Sequence, residues 1–188
     1  MKIQKLLEAL NELLELEKFR DYCPNGLQVQ GKKEVKNIVC GVSASEALIN
    51  EAVKRDADTI IVHHGYFWKN ENPRIIGIKR TRIKKLLEHD INLIAYHLPL
   101  DANEKVGNNH ELGRLLKLKD VTPLPDEPLV LQGEFDPPVT IEKLTDKLTE
   151  VLWRVPYVVP VDSPPSIRRV AFCSGAAQDY LEKAADAG

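Results

Sequence analysis

Cysteine is scarce in this sequence, and neither sign of charge predominates. The 188 residues contain three cysteines, Cys23, Cys40 and Cys173, whose odd number and wide spacing exclude a disulfide framework and a cysteine-based zinc site. Such residues are typical of reduced thiols in the cytoplasm. Lys and Arg number 26 and Asp and Glu number 28, a net charge of −2. This balance argues against a protein that coats nucleic acid or an anionic membrane.

Long hydrophobic runs are also missing. No apolar stretch approaches the roughly 18 residues of a membrane span, and the N-terminus leads into an amphipathic segment rather than a signal peptide. The hydrophobic fraction of 43% is nevertheless sufficient for a packed core. We therefore expect a globular, cytoplasmic protein with neither a membrane nor a nucleic acid as its main partner.

Helical and strand periodicities alternate along the chain. Apolar residues at helical spacing predict helices up to about Leu16, from Ser43 to about Arg55, over about 79–89 and from Asn108 to about Lys117. Ser43 with Glu46, and Asn108 with Glu111, are candidate capping boxes. Strands rich in β-branched residues are predicted between the helices, at 35–42, 59–62 and 91–96. The order of strands and helices predicts an α/β fold with a parallel sheet.

A cluster of prolines at Pro123, Pro125 and Pro128 predicts a domain boundary. We assign residues 1–122 to a first α/β lobe that carries the candidate site, and residues 123–188 to a second α/β lobe. In the second lobe we predict a helix capped by Thr140, a last helix that ends at 187–188, and strands at 129–135, 157–161 and 167–172. A final strand and helix without a return strand suggest that this lobe is incomplete at its C-terminus.

Candidate ligands follow two strands of the predicted sheet. His63 and His64 come directly after one strand, and His97 and Asp101 follow the next. The carboxyl ends of parallel strands are where ligand sites of α/β folds gather. Consecutive histidines on a regular strand would point to opposite faces, but Gly65 permits a bend that turns both rings toward one cavity. Imidazole and carboxylate ligands suit zinc, iron, manganese or nickel, and the residues do not choose among them.

The alternative for a histidine at a strand end is a structural, hydrogen-bonded residue. A lone histidine favours that interpretation, whereas the adjacent pair together with His97 and Asp101 favours a metal site. His89 and His110 lie in helix termini and are interpreted as surface residues.

Four segments in order resemble the GTP cyclohydrolase 1 type 2 homologue family, the dinuclear-metal family also called NIF-three-like. The resemblance extends over essentially the whole chain and is closest to short bacterial members. The segments that carry it are Asp21-Tyr22 with Pro24 to Val29, His63 to Trp68, His97 to Ala102, and Gly107-Asn108-Asn109.

The resemblance implies two α/β lobes with mostly parallel sheets and two divalent metal ions per subunit at strand carboxyl ends between the lobes. By this resemblance His63 binds one metal, His64 and Asp101 bind the other, and His97 serves in proton transfer as the candidate catalytic residue. It also implies a homo-oligomer, a toroidal hexamer built as a trimer of dimers. The family adds a further histidine and a bridging glutamate from a C-terminal motif, and this chain ends before that motif. We therefore expect weak binding of a metal pair here.

Two classes of function remain open. The first is a metal-dependent hydrolase or cyclohydrolase that acts on a purine nucleotide such as GTP, as the family name implies. The second is a non-catalytic metal-binding, regulatory or interaction protein that forms a ring. Aromatic residues 66–68 could stack on a base, although core packing is the favoured interpretation. A basic stretch could bind phosphate, although a solvated helix face is favoured; it comprises Arg74, Lys79, Arg80, Arg82, Lys84 and Lys85.

Overall fold

The computed structural model describes residues 1–159 and 166–187, which fold as helices and strands in two units. The units are Met1–Leu100 and Asp101–Gly188. The predicted α/β class is confirmed. The sequence-based division at residues 122 and 123 lies further along the chain than the division between these units, and it falls within a strand.

The first unit is built on a four-stranded sheet. Its helices are α1 (Ile3–Leu13), α2 (Glu46–Lys54) and α3 (Gly77–Glu88), with a short 3-10 helix at Leu16–Lys18, and its strands are β1 (Gly26–Val29), β2 (Ile38–Ser43), β3 (Thr59–His64) and β4 (Asn92–Ala95). The strand order is β1-β4-β3-β2. Strands β2, β3 and β4 are parallel, and β1 pairs with β4 in the antiparallel direction.

The central strands β3 and β4 are buried on both sides of this sheet. Ile60 and Leu93 lie in one apolar cluster with residues of α2 and α3. Ile94 lies in a second cluster with Ile3 of α1 and with Tyr96. This burial explains why both strands are apolar and rich in β-branched residues rather than alternating with polar ones. The buried strand predicted at 59–62 is confirmed, and it continues through the two histidines.

Both predicted capping boxes are wrong. Helix α2 is capped by Ser45, whose side chain accepts a hydrogen bond from the Leu48 amide at 3.2 Å, because Ser43 is held as the last residue of β2. The N-cap of helix α5 (Asn108–Leu116) is Gly107, and no side chain caps that terminus. The Asn108 side chain instead contacts Asp101.

The second unit contains an antiparallel sheet of three strands in the order β5 (Lys119–Leu124), β6 (Glu127–Val139) and β7 (Ile167–Phe172). The prolines expected to mark a domain boundary lie in the hairpin between β5 and β6, whose tight turn has Asp126 at a φ of 62°. A hairpin makes the β5–β6 pairing antiparallel, and β7 pairs with β6 in the antiparallel direction as well. The expected mostly parallel sheet is therefore found in the first unit and not among the described strands of the second. The unit also comprises α5, α6 (Ile141–Leu152) and α7 (Leu181–Asp186).

Three further predictions concern this unit. Thr140 caps α6 as predicted, because its side chain accepts a hydrogen bond from the Lys143 amide at 3.3 Å. The strand predicted at 157–161 is not present over residues 157–159, and residues 160 and 161 lie outside the described residues. The predicted last helix is present as α7, and a 3-10 turn at Gln178–Tyr180 precedes it. In the described part of the chain, no helix combines the length and the apolar character that a bilayer crossing requires.

Candidate metal-binding site

Three imidazole rings meet at the carboxyl ends of β3 and β4. His63 and His64 are the last residues of β3, rather than the first residues beyond it, and their ring centroids are 4.4 Å apart. The His97 ring, which follows β4, lies 5.0 Å from His63 and 5.8 Å from His64. Ligand nitrogens of the three rings all lie within 4.8 Å of one another. The predicted convergence of these side chains at one sheet edge is thus present.

Each of the three rings is oriented by a contact at Nδ1. His63 Nδ1 lies 3.0 Å from the Tyr96 carbonyl oxygen, and His64 Nδ1 lies 3.2 Å from the Ser43 hydroxyl. His97 Nδ1 lies 2.7 Å from a carboxylate oxygen of Asp21. Metal-binding histidines in proteins commonly use one ring nitrogen for the metal and the other for such an orienting contact. The arrangement therefore suits metal binding through Nε2.

Asp21 is a site residue to which sequence reasoning assigned no role. Its side chain is only 3% exposed. One carboxylate oxygen accepts from the His97 ring and the Tyr22 amide at 2.7 and 2.6 Å, and the other accepts from the Leu98 amide and the Asn25 side chain at 2.8 and 2.9 Å. Burial by itself would raise the pKa of Asp21. The four hydrogen bonds outweigh that effect and lower the pKa to about 2.

Asn25 and Gln28 connect the N-terminal segment to both histidine-bearing strands. Asn25 accepts a hydrogen bond from the His97 amide at 2.7 Å while it donates to Asp21. Gln28 accepts from the Tyr66 amide at 2.7 Å and donates to the Tyr66 carbonyl at 3.1 Å. These contacts explain why the polar residues of this segment accompany the histidines. The sequence signal was the close grouping of Asp21, Asn25 and Gln28 around a turn.

Gly65 is required for close packing rather than for a left-handed bend. Its φ is not among the positive values found in this chain. A Cβ atom at this position would overlap the Gln28 side-chain oxygen and lie 2.7 Å from the Ala95 Cβ. The glycine therefore allows the chain that follows the histidine pair to pass against β4 and to reach Gln28.

Asp101, the predicted carboxylate ligand, belongs to the second unit and is 7% exposed. It lies in the short helix α4 (Leu98–Ala102). Its Oδ1 accepts from the Asn108 side chain at 2.7 Å and from the Ser174 hydroxyl at 3.4 Å. A buried carboxylate with these neighbours agrees with a functional role, and its assignment as a metal ligand stays a prediction.

A second group of possible ligands shares His97. It consists of Asp21, Cys23 and His97, whose ligand atoms also lie within 4.8 Å of one another. Both oxygens of Asp21 already accept hydrogen bonds. Burial, with a smaller effect from the Asp21 charge, raises the pKa of the Cys23 thiol to about 11, and a protonated thiol is a poor metal ligand. The cluster of three imidazoles is the better candidate.

The aromatic residues after the histidine pair have separate roles. Tyr66 is buried, and its hydroxyl donates to the Ala44 carbonyl at 2.7 Å, so the core interpretation is confirmed for this residue. The Trp68 ring lies instead beside the imidazoles, with its centroid 4.9 Å from His97 and 5.9 Å from His64. Trp68 thus forms one wall of the histidine cluster.

Three of the six basic residues in α3 and the preceding loop lie beside acidic residues: Lys79, Lys84 and Lys85. Lys79 lies 3.2 Å from Glu71, and its ammonium also lies over the Phe67 ring. Lys84 lies 3.2 Å from Glu88 on the same helix. These contacts agree with the favoured interpretation of a helix face and give no support to a dedicated phosphate site.

These features define an α/β protein with a histidine cluster at the carboxyl ends of two parallel strands. The model of the Duf34/NIF3 (NGG1p interacting factor 3) family matches residues 1–188. The chain belongs to this family, as its sequence motifs predicted.

Curated relatives support the same assignment. A Haemophilus influenzae protein named GTP cyclohydrolase 1 type 2 homolog is 45% identical over 98% of this chain and 74% of its own length. The protein of that name from Escherichia coli K12 is 46% identical over 100% of this chain and 75% of its own length. The chain therefore spans about three quarters of these relatives.

Solved structures show the same fold. Protein ybgI, described as of unknown function, has a TM-score of 0.96 at 47% identity, covering 100% of this chain and 75% of its own. Protein TTHA1606 from Thermus thermophilus has a TM-score of 0.88 at 35% identity, covering 97% of this chain and 74% of its own.

Proposed function

We propose that this chain binds divalent metal ions at the histidine cluster and acts as a metal-dependent hydrolase on a purine nucleotide. The observation that carries the proposal is the meeting of His63, His64 and His97 with their ligand nitrogens within 4.8 Å of one another. His63 and His64 are the proposed ligands of a metal pair, and Asp101 is added as a ligand from the sequence motif. His97 is the proposed proton-transfer residue.

The donor set fits a transition-metal ion. Imidazole is a preferred ligand of zinc, iron and nickel. The ligand nitrogens of the rings lie within 4.8 Å of one another, a spacing that would allow His63 and His64 each to hold one ion of a pair about 3.5–4 Å apart. The contacts at Nδ1 orient all three rings before any ion binds. This preorganisation supports a binding site over a purely structural cluster.

Divalent ions at such a site acidify bound water and polarise the bond that is attacked. The chain's own contribution begins with His97, which Asp21 and Asn25 hold beside the other rings and which can accept the proton of an attacking water. Trp68 borders the same cluster and offers an aromatic face to a purine base. The name of the relatives suggests a guanine nucleotide, from which one water would open the imidazole ring and a second would hydrolyse the resulting formamide to release formate.

Activity is tested with the purified chain loaded separately with Zn²⁺, Mn²⁺, Fe²⁺ and Ni²⁺. Release of formate and phosphate is measured from GTP, ATP and their nucleosides. We expect formate release from GTP that is abolished by His64→Ala and unchanged by His89→Ala, an exposed histidine that caps α3. Metal binding without turnover on any compound would contradict the hydrolase and favour a non-catalytic metal-binding or regulatory protein.

The proposed assembly is a toroidal homo-hexamer. Light scattering coupled to size-exclusion chromatography measures its mass directly. A mass of one or two chains, with and without metal, would contradict the ring.

A further inference from the structure

The buried carboxylate of Asp21 has a specific chemical consequence for His97. An ionised carboxylate can only accept hydrogen bonds, and its Oδ1 lies 2.7 Å from His97 Nδ1. The shared proton therefore belongs to the ring nitrogen. In a neutral imidazole with a proton on Nδ1, the lone pair lies on Nε2.

We propose that Asp21 is a positioning residue that holds the proton of the His97 ring on Nδ1 and so keeps the ring's lone pair on Nε2. The tautomer matters because a ring that accepts a proton or binds a metal does so through the nitrogen that carries no proton. The catalytic consequence rests on the proposed function. The tautomer itself does not, because it is a property of the metal-free chain.

The surroundings of Asp21 leave little freedom for another arrangement. The remaining acceptor positions of the carboxylate are occupied by the Tyr22 and Leu98 amides and by the Asn25 side chain. Asn25 also accepts from the His97 amide, so the backbone and the ring of His97 are both held by this pair. Four hydrogen-bond donors surround the two carboxylate oxygens, and such a set of donors favours the ionised form.

An asparagine at position 21 cannot reproduce these contacts. If its amide nitrogen faces His97, then His97 Nδ1 must become an acceptor and the ring proton moves to Nε2. If its oxygen faces His97, the amide nitrogen meets two other donors, the Leu98 amide and the Asn25 side chain. The second orientation sets the amide nitrogen against two fixed donors, whereas the first opposes only one, the Tyr22 amide. The first orientation is therefore favoured, and in it the ring proton leaves Nδ1. Asp21→Glu retains the carboxylate and serves as the conservative variant.

The matched control is Asp58→Asn. Asp58 is likewise buried and accepts from two backbone amides, those of Lys36 and Asn37, at 2.8 and 3.0 Å. Its substitution removes a buried carboxylate of the same unit while leaving the contact between Asp21 and His97 in place.

The test is nitrogen NMR of the metal-free chain labelled with ¹⁵N-histidine. Two-bond proton–nitrogen correlations distinguish the Nδ1–H and Nε2–H forms, and the His97 signals are assigned by their loss in His97→Gln. We expect the Nδ1–H form in the wild type and in Asp58→Asn. Asp21→Asn should shift the ring toward the Nε2–H form, whereas Asp21→Glu, which retains the carboxylate, should keep the Nδ1–H form.

An Nε2–H ring in the wild type would overturn the proposal, and that spectrum decides the matter even if Asp21→Asn does not fold. An unchanged tautomer in folded Asp21→Asn would overturn it as well. On the metal-loaded enzyme we expect Asp21→Asn to lower turnover by roughly 10- to 100-fold. Absence of turnover in the wild type would count against the proposed function and leave the tautomer result standing.

Discussion

Asp21 makes the stability of the folded chain sensitive to acid in a way that can be calculated. Its pKa is about 2 in the folded state against an ordinary value of 3.8. The unfolded chain therefore takes up a proton at this carboxyl first as the pH falls. The stabilisation is fully present above the unfolded pKa and is lost as the pH decreases toward the folded value.

The size of the effect follows from the two pKa values. Each unit of difference corresponds to about 1.4 kcal/mol, so the ionised Asp21 contributes on the order of 2 kcal/mol to the free energy of unfolding at neutral pH. About 1 kcal/mol of this is lost between pH 5 and pH 3. The side chain is only 3% exposed, so solvent screens these contacts little.

The assay is urea denaturation of the wild type and Asp21→Asn at pH 7, 5, 4 and 3, with a chelator present. The variant lacks the titrating group, so the difference between the two free energies isolates Asp21 from every other carboxylate. We expect this difference to shrink by about 1 kcal/mol from pH 5 to pH 3. A difference that is constant with pH would refute the assignment of Asp21 as an ionised, hydrogen-bonded acceptor.

Three further substitutions test the packing around the site and the caps. Gly65→Ala places a methyl group against Gln28 and Ala95 and should lower the free energy of unfolding by roughly 1–3 kcal/mol, measured by thermal unfolding. A wild-type Tm would contradict this prediction. Ser45→Ala removes the cap of α2 and should lower the free energy of unfolding by about 1 kcal/mol. Ser43→Ala should lower it less in the same urea titration, and the reverse order would support the predicted capping box at Ser43. The buried Asn109 side chain accepts from the Ser174 amide at 2.6 Å and donates to the Leu129 carbonyl at 2.9 Å. Asn109→Ala should therefore lower the free energy of unfolding by about 2 kcal/mol or more, and Asn108→Ala, at an exposed position, should lower it less. Equal losses in urea denaturation would contradict this.

The parts of the fold that could be predicted are those with local signals. The apolar, β-branched run from Thr59 to Val62 predicted a strand buried on both faces, and the two histidines after it predicted a site at its end. Thr140 was recognisable as a cap because it directly precedes the apolar periodicity of α6, and its side chain accepts from the Lys143 amide. Ser43 shows a similar local pattern but does not cap a helix, because strand β2 extends far enough to pair it with His64.

The remaining features depend on partners distant in sequence. Asp21 and His97 are separated by 76 positions, so no local pattern reveals that one orients the other. The prolines near residue 123 have the composition of a linker, yet the strands β5 and β6 on either side of them pair as a hairpin, which the proline pattern did not reveal. Gly65 was recognised as necessary, but its reason, the approach of Gln28 and Ala95, is visible only in three dimensions.

Metal binding at the histidine cluster is tested most directly by the fluorescence of Trp68. The chain has two tryptophans, and Trp153 is 95% exposed, so Trp153→Phe leaves Trp68 as the single reporter beside the imidazoles. In that background, Co²⁺ should quench the emission saturably. His63→Ala or His64→Ala should weaken binding by roughly tenfold or more, and His89→Ala should leave it unchanged. Equal Co²⁺ affinity in all four proteins would contradict the metal site.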